Sequence, residues 1–417
     1  MAGGLMQLVA YGAQDVYLTG NPKVTFFQAV YKRHTNFAME NIEQTVNGTA
    51  TAGGRVSVTV ARNGDLISDM YLELTCNTAP TVTEDAWIAE AAISTVELSI
   101  GGQRIDKHYQ KWWRLYAELY MDESAKLNYG KMTSATIDNE KVYLPLIFFF
   151  NRNPGLALPL IALQYHEVRI DIDLASTYGL FDSLKVWGNY IYLDTEERRR
   201  FAQKGHEYLI EQVQHTGSDS LATAGSTKQI RLSYNHPVKE LVWCTTASSN
   251  VVGDTNGVWN FTDTSVTLSA AAGAVSVSNA LVSTSGSGAP QLVVDSTTQF
   301  DEETSGPLDS FKLVLNGQDR FKEQDGKYFN QVQPFVHHSG SPMPGIYSYS
   351  FALKPEEHQP TGTCNFSRID NAQVSISVKG TSSPRGTDST KNTLNMFATN
   401  YNVLRIQSGM GGLAFSN

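Results

Sequence analysis

Apolar and polar residues alternate in short runs along most of this chain, with a period of two rather than 3.6. Val168, Ile170, Ile172 and Leu174 are separated by Arg169, Asp171 and Asp173, so an extended segment here has one face for a core and one for water. An aromatic run from Leu146 to Phe150, read as a strand, precedes it. Between them lies Asn153-Pro154-Gly155, where Pro fixes φ and Gly supplies the positive φ of a reversal. Upstream, Ile42 and Val46, then Val56, Val58 and Val60, alternate with polar residues on either side of Asn47-Gly48. Asn63-Gly64-Asp65 makes the next turn, residues 70–74 and 95–100 continue the series, and Gly101-Gly102 ends the latter. Strands resume at Tyr143 and close with residues 186–193.

Three stretches depart from this period. Asn21-Pro22 predicts a short helix, with Asn as cap, Pro at the first position, and Phe26, Phe27, Val30 and Tyr31 on one side. Trp112, Leu115, Tyr116 and Leu119 fall at i, i+3, i+4 and i+7, a helical face expected to pack against a sheet. Asp194-Thr-Glu-Glu197 starts a third helix, with Asp194/Arg198 and Glu196/Arg200 as ion pairs and Gly205 as its stop.

The second half repeats the first. Residues 229–243 match 58–72 as strand, Asn-containing turn and strand; Glu97 to Arg104 resembles Lys312 to Arg320, each a strand entering a Gly-Gln turn; and Asn189-Tyr190 returns as Asn400-Tyr401. Leu146 to Leu174 is likewise echoed by Tyr347 to Val378, so four segments recur in one order, which implies duplication. The predicted fold is all-β: two related β units in tandem, with short helices in the connections. The expected divisions are an arm at 1–24, a first unit at 25–205 and a second at 206–417. Thr245 to Ser310, rich in Ser, Thr, Ala, Gly and Val, is extra to the repeat and is expected to be a long surface excursion.

Composition agrees. A chain of 417 residues holds two cores, each burying about 70% of its unfolded surface. The 18 Phe, 19 Tyr and 6 Trp suit strands, and 33 Gly with 14 Pro supply turns. A formal net charge of -9 argues against a direct grip on nucleic acid. Cys76, Cys244 and Cys364 are widely spaced, which fits buried thiols rather than a disulfide framework or a zinc site. The first residues lack a basic start and long apolar run, and no stretch approaches a membrane span. A soluble protein made in the cytosol is expected.

No catalytic, cofactor or metal constellation emerges. Gly409-Met-Gly411-Gly-Leu-Ala414 has the spacing of a dinucleotide motif but no room for the helix that motif requires. His337-His338 and His206-Glu207 lack further ligands and are read as solvated loop residues. Asp171 and Asp173 share a strand face; a polar outer face explains them more simply than acid–base work on a glycoside. Arg198-Arg199-Arg200 is read as a solvated helix face. Asn47, Asn260 and Asn365 each begin an N-x-[ST] triplet, and Asn260, in the excursion, is the glycosylation candidate.

Long stretches also carry a family likeness: Met1-Ala-Gly-Gly-Leu5 with Leu8 to Pro22, Ile100 to Tyr109, Pro145 to Asn151, Pro154 to Glu167, Cys364 to Ala372, and Asn400 to Arg405 with Ser408 to Ala414. In these the chain resembles the major capsid proteins of large icosahedral double-stranded DNA viruses of eukaryotes, most closely the algal, chlorella-virus-like group. The resemblance implies two eight-stranded jelly rolls and a homotrimeric, pseudo-hexagonal capsomer that meets neighbouring capsomers. It also implies an arm facing minor capsid proteins and an internal membrane, outward loops that carry any glycans, and assembly in the host cytoplasm. Thr245 to Ser310 departs from the family pattern. The competing reading is a cytosolic carbohydrate-binding or glycoside-processing β-sandwich, which requires aromatic platforms beside paired acids.

Overall fold

The computed structural model describes residues 3–26, 29, 31–77, 87–135, 137–246, 261, 282–284, 290–292, 306–381, 389 and 391–415. The chain forms two units, Met1–Phe37 and Ala38–Asn417.

In the smaller unit, α1 (Gly3–Val9) buries none of its residues. Leu8, Tyr17 and Leu18 are 78%, 91% and 84% exposed. The helix expected after Asn21 is absent among the described residues. Asn21 has φ 51°, whereas a helix cap needs extended backbone. Phe26 and Tyr31, its intended apolar face, are exposed, and without a surface to pack on a short helix has little to hold it.

The larger unit contains two jelly rolls with the same strand order. The first comprises β1 (Phe37–Gln44), β2 (Arg55–Thr59), β3 (Leu66–Cys76), β4 (Ile93–Ile100), β5 (Gln103–Tyr109), β6 (Lys141–Pro145), β7 (Val168–Leu174) and β8 (Phe181–Leu193). These form antiparallel sheets ordered β1-β8-β3-β6 and β2-β7-β4-β5. The second comprises β9 (His206–Ser220), β10 (Lys228–Leu232), β11 (Pro237–Thr246), β12 (Leu308–Leu315), β13 (Gln318–Asp319), β14 (Ile346–Ser350), β15 (Ala372–Val378) and β16 (Thr393–Gln407). Its sheets run β9-β16-β11-β14 and β10-β15-β12-β13. The n-th strand of one set takes the place of the n-th strand of the other.

Glu97 to Arg104 and Lys312 to Arg320 occupy matched places, whereas Leu146 to Phe150 lies beyond β6 and its counterpart from Tyr347 lies within β14. The turn from β4 to β5 puts Gly101 and Gly102 at φ 57° and 83°, and the turn from β12 to β13 puts Asn316 and Gly317 at 49° and 79°. Two consecutive positive φ values give the tight turn whose twist suits a hairpin. A Cβ on Gly101 would also lie 2.3 Å from the His166 ring.

Two expectations fail locally. Leu146 to Phe150 is not a strand: β6 stops at Pro145 and Phe149–Arg152 is a helical turn. The run is buried throughout, and continuous burial has no period to tell strand from turn. Gly155 does not take a positive φ; Pro154–Leu156 is a 3-10 turn capped by the Asn153 side chain accepting from the Gly155 N–H.

Each sandwich has an apolar interior. Val58, Leu72, Leu98, Val142, Ile170 and Val186 meet in the first. In the second, the Trp243 ring stacks 4.3 Å from Phe311 and lies 5.4 Å from Phe329. Cys76 and Cys244 are buried and Cys364 is half-buried, with no disulfide among them.

Candidate assembly surfaces

Helix α2 (Gln110–Tyr120) and helix α3 (Glu123–Thr133) connect β5 to β6. Trp112, Leu115 and Leu119 are buried as the helical spacing predicts. Asp122 caps α3, its carboxylate accepting from the Ala125 N–H. The apolar face of α2 packs on more than its own sandwich. The Trp112 ring lies 5.7 Å from Phe397 of β16, and Tyr109 lies 4.9 Å from His215 of β9. Val242, Cys244, Ile346 and Phe397 therefore join the core of the first jelly roll, while their neighbours Leu241, Trp243, Tyr347 and Met396 face the second core. At its centre, sheet β9-β16-β11-β14 is buried on both faces.

Charged groups are sealed into this junction. The Glu211 carboxylate is 2.9 Å from Arg152 and 2.7 Å from Lys239, whose side chain is wholly buried. Burial would raise the Glu211 carboxyl, but Arg152, His358 and Lys239 outweigh it and hold it at about 2. The Tyr120 hydroxyl donates to Glu240 over 2.5 Å, and His338, its ring fully buried, donates to the same carboxylate. Glu356 sits 3.3 Å from the other ring nitrogen. His338 is thus no solvated loop residue: desolvation works against its charge, yet Glu240 and Glu356 raise its pKa to about 9.

Backbone completes the lock. The Gly340 N–H donates to the Leu119 carbonyl over 3.2 Å, the Met343 N–H to Glu118 over 3.3 Å, and Lys126 to the Ser341 carbonyl over 2.6 Å. Beneath, Arg114 lies 3.9 Å over the Trp87 ring and 3.3 Å from Glu118. Burial raises nearby Glu90 to about 7 against the pull of Arg114. Apart from His338, read as a solvated loop residue, sequence reasoning did not select these residues. The one local signal was Lys239-Glu240, two charges set between Val238 and the apolar run Leu241 to Cys244.

The residues singled out for chemistry do not converge. Asp171 is largely buried and bound to Arg169 at 2.7 Å and Arg55 at 3.6 Å, and Asp173 accepts from Thr95 over 2.7 Å. Their face is an ion-pair ladder rather than a free polar surface. His206 contacts the Phe201 carbonyl. Gly409 and Gly411 belong to a hairpin in which Met410–Leu413 pairs with β16, and His166 Nδ1 lies 2.9 Å from the Gly411 carbonyl. In helix α4 (Thr195–Gln203), Arg198 binds Asp65 at 3.0 Å rather than Asp194, which caps the helix. Asn47 and Asn365 are exposed; Asn260 lies outside the described residues. No cluster of three or more metal-ligating side chains occurs among the described residues. A cleft of about 440 Å³ between β5 and β9 is polar, lined by Arg104, Lys107, Gln212 and Gln214. Its one carboxylate, Asp106, is bound to His108 at 3.0 Å.

Comparison with known proteins gives this framework a family. Residues 197–412 match the family described as large eukaryotic DNA virus major capsid protein, and residues 25–194 match the major capsid protein N-terminus. The major capsid protein of Paramecium bursaria Chlorella virus 1 is 48% identical across the whole of both chains, and that of Pyramimonas orientalis virus is 43% identical across the same extent. Among solved structures, a quasi-atomic model of the PBCV-1 virus capsid superposes with a TM-score of 0.78 at 43% identity, covering 94% of this chain and 100% of that one. The Faustovirus major capsid protein shares the fold, with a TM-score of 0.70 at 13% identity over 97% and 96% of the two chains. Nothing found favours the carbohydrate reading, and the role is structural rather than enzymatic. With its double jelly roll, its sealed junction and identity running the full length, this chain belongs to the major capsid proteins of large eukaryotic DNA viruses.

Proposed function

We propose that three copies of this chain close into a pseudo-hexagonal capsomer, and that these capsomers tile an icosahedral shell. The carrying observation is one strand order used twice in a chain whose halves share a continuous core. One chain then contributes two similar wedges at a set angle, and three chains contribute six. In this reading residues 1–24 are an arm directed to minor capsid proteins and the internal membrane, and residues 25–205 and 206–417 are the two wedges; the excursion expected at 245–310 falls mostly outside the described residues, and Asn260 within it is the proposed glycan acceptor. Assembly takes place in the host cytoplasm. The exposed apolar side chains of the arm suit a segment that docks on a neighbour.

Light scattering on the purified chain over a dilution series tests the trimer. A mass three times 45.9 kDa that survives dilution is expected, because obligate interfaces bury more than about 2,000 Å². A monomer at every concentration refutes it.

A further inference from the structure

We propose that the outer face of sheet β1-β8-β3-β6 is the seat for the helical segment Tyr328–His337 of a second copy, so that the contact between copies repeats the contact within one chain. This rests on the trimer reading and specifies its surfaces.

The internal junction is the template. On the outer face of the second jelly roll, Val242 pairs with Phe397 and Cys244 with Ile346. All four are at most 1% exposed. What covers them arrives on the connection between the fifth and sixth strands of the first jelly roll, α2. In the first jelly roll the same positions hold Tyr71 paired with Trp187, and Glu73 paired with Tyr143. The match of residues 58–72 to 229–243 sets Tyr71 against Val242 independently. Here the residues cover one another instead. The Tyr71 and Tyr143 rings sit 5.8 Å apart, the Trp187 indole donates to Glu73 over 3.0 Å, and Lys141, 2.8 Å from Glu73, is 57% exposed. Three half-buried aromatic rings on a sheet face are the composition of an interface centre.

The matching cover is unused on the same chain. In the second jelly roll, the connection between the fifth and sixth strands carries the helical residues Tyr328–His337. Its Val332, Phe335 and Val336 fall at i, i+3 and i+4 and are 46%, 88% and 61% exposed. Leu353, 74% exposed, adjoins them, with His337 Nδ1 3.1 Å from its carbonyl. The internal contact joins unlike surfaces, the connecting helix of one jelly roll and the sheet face of the next, and so leaves one of each open. Head-to-tail contacts of this kind close into a ring when the rotation from copy to copy closes, which the trimer reading supplies. A second copy is therefore the partner whose chemistry and geometry the chain already displays.

Two variants test this. Phe335→Asp, at a site too exposed to carry the fold, is expected to run at 45.9 kDa under conditions where the unaltered chain runs at three times that mass, with an unchanged circular dichroism spectrum. The pair Phe335→Cys and Tyr143→Cys, oxidised, is expected to give covalent dimers and trimers on a denaturing gel, and each single variant monomers. A trimeric Phe335→Asp protein, or a doubly substituted trimer that stays uncrosslinked, overturns this seat and leaves the capsomer reading in place. A monomeric unaltered chain overturns both.

Discussion

Replacing His338 with leucine probes the junction directly. The imidazole is enclosed between Glu240 and Glu356 with its side chain wholly buried, and Tyr120 supplies the other hydrogen bond to Glu240. Burial disfavours the imidazolium, but the charge and hydrogen bond of Glu240, joined by Glu356, lift its pKa from 6.5 to about 9. The folded protein therefore keeps a proton that the unfolded chain releases above about 6.5. The stabilisation is complete below that pH and fades as the pH rises through about 9. A lift of this size corresponds to about 3 kcal/mol. Leucine also leaves Glu240 buried with one neutral donor, and breaking a buried pair in this way costs about 3–5 kcal/mol. Guanidinium unfolding of both proteins, from about pH 6 to about pH 10, is the assay. A stability gap of about 3 kcal/mol or more at the acid end, narrowing toward the alkaline end, is expected. A gap independent of pH, or one below about 1 kcal/mol, refutes the buried-imidazolium argument.

Three further outcomes follow from the same junction. Glu90, raised from 4.5 to about 7 chiefly by burial, contributes stability that is full below about 4.5 and lost as the pH rises through about 7. Glu90→Gln, which keeps an acceptor for the Tyr129 hydroxyl, should flatten that part of a thermal-melt pH profile. Phe397→Ala removes a ring set 4.4 Å from His215 and 5.7 Å from Trp112, and urea unfolding should show a loss of about 3–5 kcal/mol; a loss below about 1 kcal/mol means the sheet is not packed on both faces. Gly340→Ala puts a Cβ 2.5 Å from the Glu118 carbonyl oxygen and 2.7 Å from that of Met121. Because backbone cannot swing aside, a cost of about 1–3 kcal/mol, seen as a lowered melting temperature, is expected, and a stabilised variant contradicts it.

The strands, the duplication and the family were legible in the chain because each is written locally. A strand declares itself by alternation over six or seven residues, as in Val168 to Leu174, and the β4–β5 and β12–β13 hairpins by paired positive-φ residues that few side chains tolerate. The long matched stretches, from Leu8 to Pro22 through Ser408 to Ala414, carried the family in the same way. Where alternation stops, so did the reading: the aromatic run at 146–150 is buried on every side, and burial alone does not distinguish a strand from a turn.

Tertiary structure alone decided which charges are sealed and which surfaces are open. His338 stands in a Pro- and Gly-rich segment that looks solvated, yet its partner Glu240 lies 98 residues away. Tyr120 reaches that same carboxylate across 120 residues. Nothing in a local window reports such a separation, because the energy of a buried charge depends on what the fold packs around it. Likewise Phe335 and Phe397 are the same residue type in the same half of the chain, one 88% exposed and the other 1%. Their period says only that each wants an apolar neighbour; the arrangement of the two jelly rolls covers one within the chain and leaves the other open.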